Sequence, residues 1–158
     1  MSDDRIQYLT PAGYEKIKKE YQELKDSKIP EIANKIDEAK QQGDLSENAE
    51  YHQAKEEMAW AQGRLIDLGY ILNNAQVFET SSNGKKSLVA VGSRVKCKNK
   101  NKQIKEYTIV GPQEANPIGG KISNESPLGE SFLGHKVGDI IKVKTPLGEQ
   151  IYEILEIN

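Results

Sequence analysis

The sequence holds a single cysteine, Cys97, so no internal disulfide can form and the chain suits a reducing compartment. Its histidines are only His52 and His135, which excludes the usual zinc hydrolase site. There is no glycine-rich phosphate loop, no dinucleotide fingerprint and no Ser/His/Asp set in a plausible context, so a free-standing enzyme has nothing to work with. No apolar run approaches the roughly 20 residues that cross a bilayer. The opening Met1-Ser2-Asp3-Asp4 lacks a basic stretch followed by an apolar one, so no secretory signal is expected and the protein is expected to be cytoplasmic. Neither half carries the dense basic face of an autonomous nucleic-acid binder.

What remains is a chain of 158 residues with much charge, 29%, and a mean hydropathy of −0.70. That balance suits long helices that bury one stripe each. The charge is unevenly placed: residues 1–80 carry a formal −6 and residues 81–158 a formal +4. Thr10-Pro11 opens a first helix, with Thr10 as N-cap and Pro11 at the first helical position. Its apolar seam runs Tyr14, Ile17, Tyr21, Leu24, then shifts to Lys28 or Ile29, Ile32, Ile36 and Ala39, a stutter of the heptad. Pro30 falls at the shift and predicts a kink; two helices broken there are the alternative. The second helix carries Tyr51, Ala54, Met58, Ala61, Leu65, Leu68, Leu72 and Ala75 at alternating spacings of four and three. Two arms of equal length, each roughly 45 Å, predict an antiparallel coiled-coil hairpin, with a parallel dimer as the alternative.

Residues 80–86 read as a linker, dividing the chain into a hairpin over 1–79 and a second domain over 87–158. In the second domain the period switches to two. Strands are expected at Val89–Val91, Arg94–Lys98, Ile104–Val110, Ile140–Lys144 and Gln150–Ile157, with one short helix N-capped by Ser126 and stopped at Gly134. Cys97 falls on the apolar side of its strand and reads as a buried structural residue. The fold class is α+β: a helical hairpin followed by a small, mostly antiparallel sheet with one helix.

The bend at 43–50 is where chemistry concentrates. Gly43 suits the left-handed end of a helix, and Asp44 or Ser46 suits the N-cap of the next. Asp44 and Glu47 admit two readings. They have the spacing of a capping box, or, with Ser46 as the cap, both carboxylates are free to share an octahedral Mg²⁺ that keeps most of its waters. Such a pair is an incomplete site, and the other ligands must come from a partner. The surrounding acids, Asp37, Glu38, Glu50, Glu56 and Glu57, outweigh Lys40 and Lys55, so this end repels a phosphate backbone unless a cation lies between. His52 reads as a solvated residue pairing with Glu56 one turn on.

The stretch Gly43–His52, together with Arg64–Asp67, Asn74–Val77, Ser126–Gly129 and Leu133–Asp139, resembles the Gre factor family of bacterial transcript cleavage factors across the whole chain, and its GreA branch more than its GreB branch because the basic patch near the bend is thin. The resemblance implies a second domain similar to FK506-binding proteins and binding at the secondary channel of bacterial RNA polymerase. It implies that the polymerase's own active site is helped to hydrolyse the backtracked nascent RNA near its 3′ end. Asp44 and Glu47 match the family's acids that hold the second Mg²⁺ of the polymerase site and position the attacking water. Lys55 matches a position that contacts the RNA, and Ser126 and Pro127 match the region that docks on the channel rim. No cofactor bound by the chain alone, no small-molecule substrate and no membrane are implied.

Three rival functions follow from the same residues. A channel-binding regulator that does not promote cleavage would carry an altered acidic bend, whereas the Asp-Leu-x-Glu-Asn pattern is present. A prolyl isomerase needs an aromatic-lined cavity, and residues 84–158 supply only Tyr107, Phe132 and Tyr152. A plain coiled-coil adaptor makes Asp44 and Glu47 dispensable apart from a small capping loss.

Overall fold

The computed structural model describes residues 5–78 and 86–158. The expected linker therefore lies outside the described residues except for Lys86, whose amide donates to Ile157 O (3.2 Å). By contacts the chain divides into Tyr14–Asn74 and a discontinuous unit, Met1–Gly13 with Ala75–Asn158. The short segments flanking the helices thus group with the second unit rather than with the hairpin.

The first unit is a helical hairpin. Helix α1, Pro11–Glu23, runs through a π-helical turn, Leu24–Lys28, into α2, Ile29–Gln41, and α3, Ala49–Asn73, returns beside them. The chain is not broken at Pro30. Ile29 N donates to Leu24 O, so one extra residue fits into the turn just where Pro30 has no amide to give and its ring would crowd the carbonyl four residues back. That residue is the stutter in the seam. Buried Ile17 and Leu24 are seven apart, Leu24 and Ile32 eight, Ile32 and Ala39 seven. On α3 the buried positions are Ala54, Ala61, Leu68 and Ile71. Two details differ from the sequence reading: Ile71 rather than Leu72 closes the seam, and Ala75 lies in a strand, because α3 stops at Asn73. Small Ala54 and Ala61 let the helices approach, and Arg64 Nε clasps Glu20 Oε1 across the pair at 2.8 Å.

The second unit holds two sheets. Strands β1, Gln7–Leu9, and β2, Ala75–Val77, form a parallel pair. The larger sheet comprises β3 (Arg94–Asn99), β4 (Ile104–Val110), β5 (Lys121–Ser123), β6 (Ile140–Thr145) and β7 (Gly148–Ile157) in the order β5-β4-β3-β7-β6. Only the β4–β5 pairing is parallel. Alternation sends Val95, Cys97, Ile109, Ile141, Val143, Tyr152 and Ile154 to one face, where Phe132 of α4, Pro127–Phe132, completes the core. Thr10 caps α1 as expected, its Oγ1 accepting from Gly13 N at 3.0 Å. The Glu114 carboxylate accepts in turn from Thr10 N at 2.7 Å and from Thr10 Oγ1.

Val89–Val91 is not a strand. Val89 is buried, and its N and O pair with His135 O and Gly134 N, both at 2.9 Å, while Ala90 N donates to Ser93 Oγ at 3.0 Å. With their backbone groups used locally, these residues have none left for a ladder. Strands β1, β2 and β5 were not legible in the pattern, each being three residues long.

Cys97 is fully buried, and burial pushes its thiol up to about 11. A thiol reagent at pH 8 is therefore expected to label it only as the protein unfolds, since the thiolate is the reactive form. Labelling at the rate of a free cysteine in the native protein would contradict the burial. The sign for stability follows from proton uptake. Between about pH 9 and 11 the unfolded thiol has lost its proton and the folded one has not, so this group lowers stability as pH rises through that window.

Candidate functional site at the hairpin bend

Helix α2 ends at Gln41, and the chain turns through Gln42–Asn48 before α3 starts. Gln42 N donates to Ala39 O (3.2 Å), and Gly43 takes φ +127°, a conformation that side chains rarely adopt. Every residue from Gln42 to Glu47 is exposed. The bend is thus almost entirely solvated backbone and acid side chains, with little apolar anchoring of its own; Leu45 stays 38% exposed.

The N-cap of α3 is neither Asp44 nor Ser46. It is Asn48, whose Oδ1 accepts from Tyr51 N at 3.1 Å. Its Nδ2 donates to Ala39 O at 2.8 Å, a second bond, beside that from Gln42 N, to a carbonyl in the last turn of α2. One side-chain amide therefore caps both helices. The bend supplies several capping residues within five positions. The one signal favouring Asn48 was its place three residues before Tyr51, the first apolar residue of the seam.

Because the cap lies elsewhere, the capping-box reading of Asp44 and Glu47 fails. Asp44 Oδ1 accepts from Ser46 N (3.0 Å) and Ser46 Oγ (2.8 Å). These bonds, the backbone one foremost, hold the carboxyl below the usual carboxylate range although it is fully exposed. Ser46 thus holds the acid rather than the helix. Glu47 is exposed and makes no hydrogen bond or ion pair among the described residues. Below the bend an open groove is lined by Lys35, Glu38, Glu50 and Glu57, the first and last paired at 3.5 Å.

His52 does not pair with Glu56. Its ring packs edge-on against Tyr51, with centroids 5.6 Å apart, and the Lys55 ammonium lies over the other ring of that pair, 5.4 Å from the Tyr51 centroid. An exposed cation–π contact of this kind contributes about 0.5–1 kcal/mol and yields readily to a stronger anion. Among the described residues no group of three or more His, Cys, Asp or Glu stands close enough to hold a metal ion. Asp44 and Glu47 offer carboxylate oxygens of the kind Mg²⁺ accepts; an ion held there would need the rest of its octahedral shell from water and another molecule.

Ser126 and Pro127 belong to the other unit. Ser126 Oγ caps α4 by accepting from Gly129 N (3.1 Å) and donates to Ser123 O (2.7 Å), while Pro127 is exposed at the first helical position. The following loop is tied by Asp139, which accepts from Lys136 N (3.0 Å) and lies 3.1 Å from His135 Nδ1. Tyr107, Phe132 and Tyr152 form an aromatic cluster at the core of the larger sheet. They pack on one another, with centroids 5.9–6.4 Å apart and Phe132 fully buried. The prolyl isomerase reading asks these rings to wall an open pocket, and here they are packed against one another.

Both parts of this architecture match models of transcription elongation factors. One described as "Transcription elongation factor, N-terminal" covers residues 7–77, and one described as "Transcription elongation factor, GreA/GreB, C-term" covers residues 84–158. The chain belongs to the GreA/GreB family of transcription elongation factors. It is 46% identical to the transcription elongation factor GreA of Clostridium botulinum strain Langeland, over 100% of this chain and 99% of that one. To the GreA of Thermotoga neapolitana it is 45% identical, over 94% of this chain and 95% of the relative. Among solved structures, the GreA factor homolog 1 (Gfh1) protein of Thermus thermophilus is 29% identical with a TM-score of 0.45, over 98% of this chain and 99% of that one.

Proposed function

We propose that this chain binds in the secondary channel of bacterial RNA polymerase and stimulates the polymerase's own hydrolysis of backtracked RNA, so that an arrested complex regains an RNA 3′ end in its active site. The observation that carries this is the state of the bend. A helical hairpin ends in one carboxylate that accepts from Ser46 N and Ser46 Oγ and another, three residues on, with no hydrogen bond or ion pair among the described residues. Exposed, uncompensated acids add little to a fold, but they suit a divalent cation that another molecule supplies.

In this reading the catalytic groups are Asp44 and Glu47. They would hold a second Mg²⁺ that the polymerase active site supplies, and with it would orient a water against the phosphodiester. Hydrolysis adds water to phosphorus and breaks the bond from phosphorus to the 3′ oxygen of the retained upstream RNA. That oxygen takes up a proton to become an extendable 3′-hydroxyl, and the released fragment keeps the phosphate. The ions would supply charge stabilisation for the attacking and leaving oxygens. The acidic bend thereby meets the transcript through a cation rather than against it. Lys55, released from Tyr51, contacts an RNA phosphate, and Ser126 and Pro127 at the start of α4 dock on the channel rim. The chain itself is not an enzyme, needs no cofactor of its own and acts in the cytoplasm.

The test is a purified polymerase stalled in a backtracked state with 3′-labelled RNA. Adding the protein with Mg²⁺ is expected to release short labelled fragments and restore extension. Binding without fragment release would replace this reading with that of a regulator which occupies the channel and promotes no cleavage.

A further inference from the structure

We infer that Asn48 is a positioning residue for the acidic pair, a role that rests on the reading above and concerns a side chain to which that reading gives no part. The chain from Gln42 to Glu47 crosses the hairpin end fully exposed and includes a glycine at φ +127°. Such a segment samples many conformations unless something ties it, because each untied backbone residue regains conformational entropy. Its ties are few. Gln42 N reaches Ala39 O at the entry, Asp44 and Ser46 close a local turn, and Asn48 bonds both helix ends at the exit.

The geometry of Asn48 is what a clamp requires. Its Oδ1 takes Tyr51 N of α3 (3.1 Å) while its Nδ2 gives to Ala39 O of α2 (2.8 Å). The donor and acceptor sit on one planar group, so the last carbonyls of one helix and the first amides of the next are held at fixed separation. Glu47 is the residue immediately before it and Asp44 lies four before it, so where these carboxylates stand depends on that separation. Few other residues can do this. Asp keeps the acceptor but sets a carboxylate oxygen against the Ala39 carbonyl. Ser keeps a cap but is too short to reach across, and Gln moves its amide a methylene further out.

The experiment compares wild type with Asn48→Asp and Asn48→Ser. In each, the maximal cleavage rate at saturating factor is read separately from the factor concentration giving half the maximum, alongside Tm and the backbone NMR order parameters of Gly43–Glu47. Both variants retain an N-cap, so Tm is expected to fall only slightly, by the loss of the one bond to Ala39 O, and half-saturation to stay at the wild-type value. The maximal rate is expected to fall about tenfold, because a misplaced catalytic group loses its near-attack geometry, and the order parameters of the bend should drop. A purely structural cap predicts instead that activity follows Tm. Wild-type order at the bend in both variants, or a wild-type maximal rate in both, overturns the inference. Lowered order in a protein whose wild type releases no fragments would instead remove the cleavage reading and leave the clamp standing.

Discussion

Changing Asp44 to Asn is expected to lower the maximal rate of factor-dependent transcript cleavage about 100-fold, the scale seen when groups that tune a metal site are removed, while affinity for the polymerase is unchanged. The substitution is close to isosteric, and the amide oxygen can still accept from Ser46 N and Ser46 Oγ, the bonds that organise this part of the bend. Fold and bend shape are therefore retained, and an exposed change of this kind moves stability by no more than about 0.5 kcal/mol. The full negative charge disappears, and with it the ability to hold a hard cation. Glu47→Gln should behave alike, with still less structural effect because Glu47 has no local partner to lose. The measurement is cleavage rate against factor concentration, with competition binding run in parallel. A plain coiled-coil adaptor predicts no change in either curve. Loss of both together would mean that the bend is a docking element and that its acids recognise protein rather than metal.

The parts of this molecule that were legible in the sequence are those set by periodicity over many residues. Helix α3 carries its alternation of four and three through several heptads, so its existence, its face and its small-residue seam followed from pattern alone. The stutter before Pro30 was visible as a spacing, but the same spacing fits a kink or a break; what decides is the amide of Ile29 reaching Leu24 O. Three-residue strands leave too little alternation to read, and Val89–Val91, which has the composition of a strand, pairs with a loop instead because Ser93, Gly134 and His135 take its backbone groups. At the bend, residue type pointed to Asp44 and Glu47, and the resemblance gave them a role. It could not say which of several short polar side chains capped α3. That choice is made by geometry: only Asn48 stands where one amide reaches both helix ends, and its doing so leaves Asp44 to Ser46 and Glu47 to solvent.

A large stability effect is expected from a change that helix propensity would favour. Gly129 lies inside α4, where Ala is better than Gly by about 1 kcal/mol, and its φ gives no reason for a glycine. Space does. A Cβ there would stand 1.9 Å from Ser123 O and 2.8 Å from Ser123 C. That carbonyl cannot simply swing away. It accepts from Ser126 N (3.1 Å) and Ser126 Oγ (2.7 Å), and Ser126 Oγ in turn caps Gly129 N. Ser123, in β5, is also paired to Val110 of β4. The remaining escape is for α4 to lift off the sheet, which drags Phe132, fully buried against Tyr107 and Tyr152, out of its place in the core. Gly129→Ala should therefore cost about 3 kcal/mol, the upper end for overpacking a core, read as a lower denaturation midpoint by tyrosine fluorescence. Glu130→Ala, one residue on and exposed, should stay within about 0.5 kcal/mol of wild type. If Ser126 and Pro127 dock on the polymerase, the shift in α4 weakens binding, and cleavage recovers at high factor concentration because Asp44 and Glu47 are intact. Wild-type stability in Gly129→Ala would mean that the Ser123 carbonyl gives way at no cost, and that the position of α4 is not fixed by this contact.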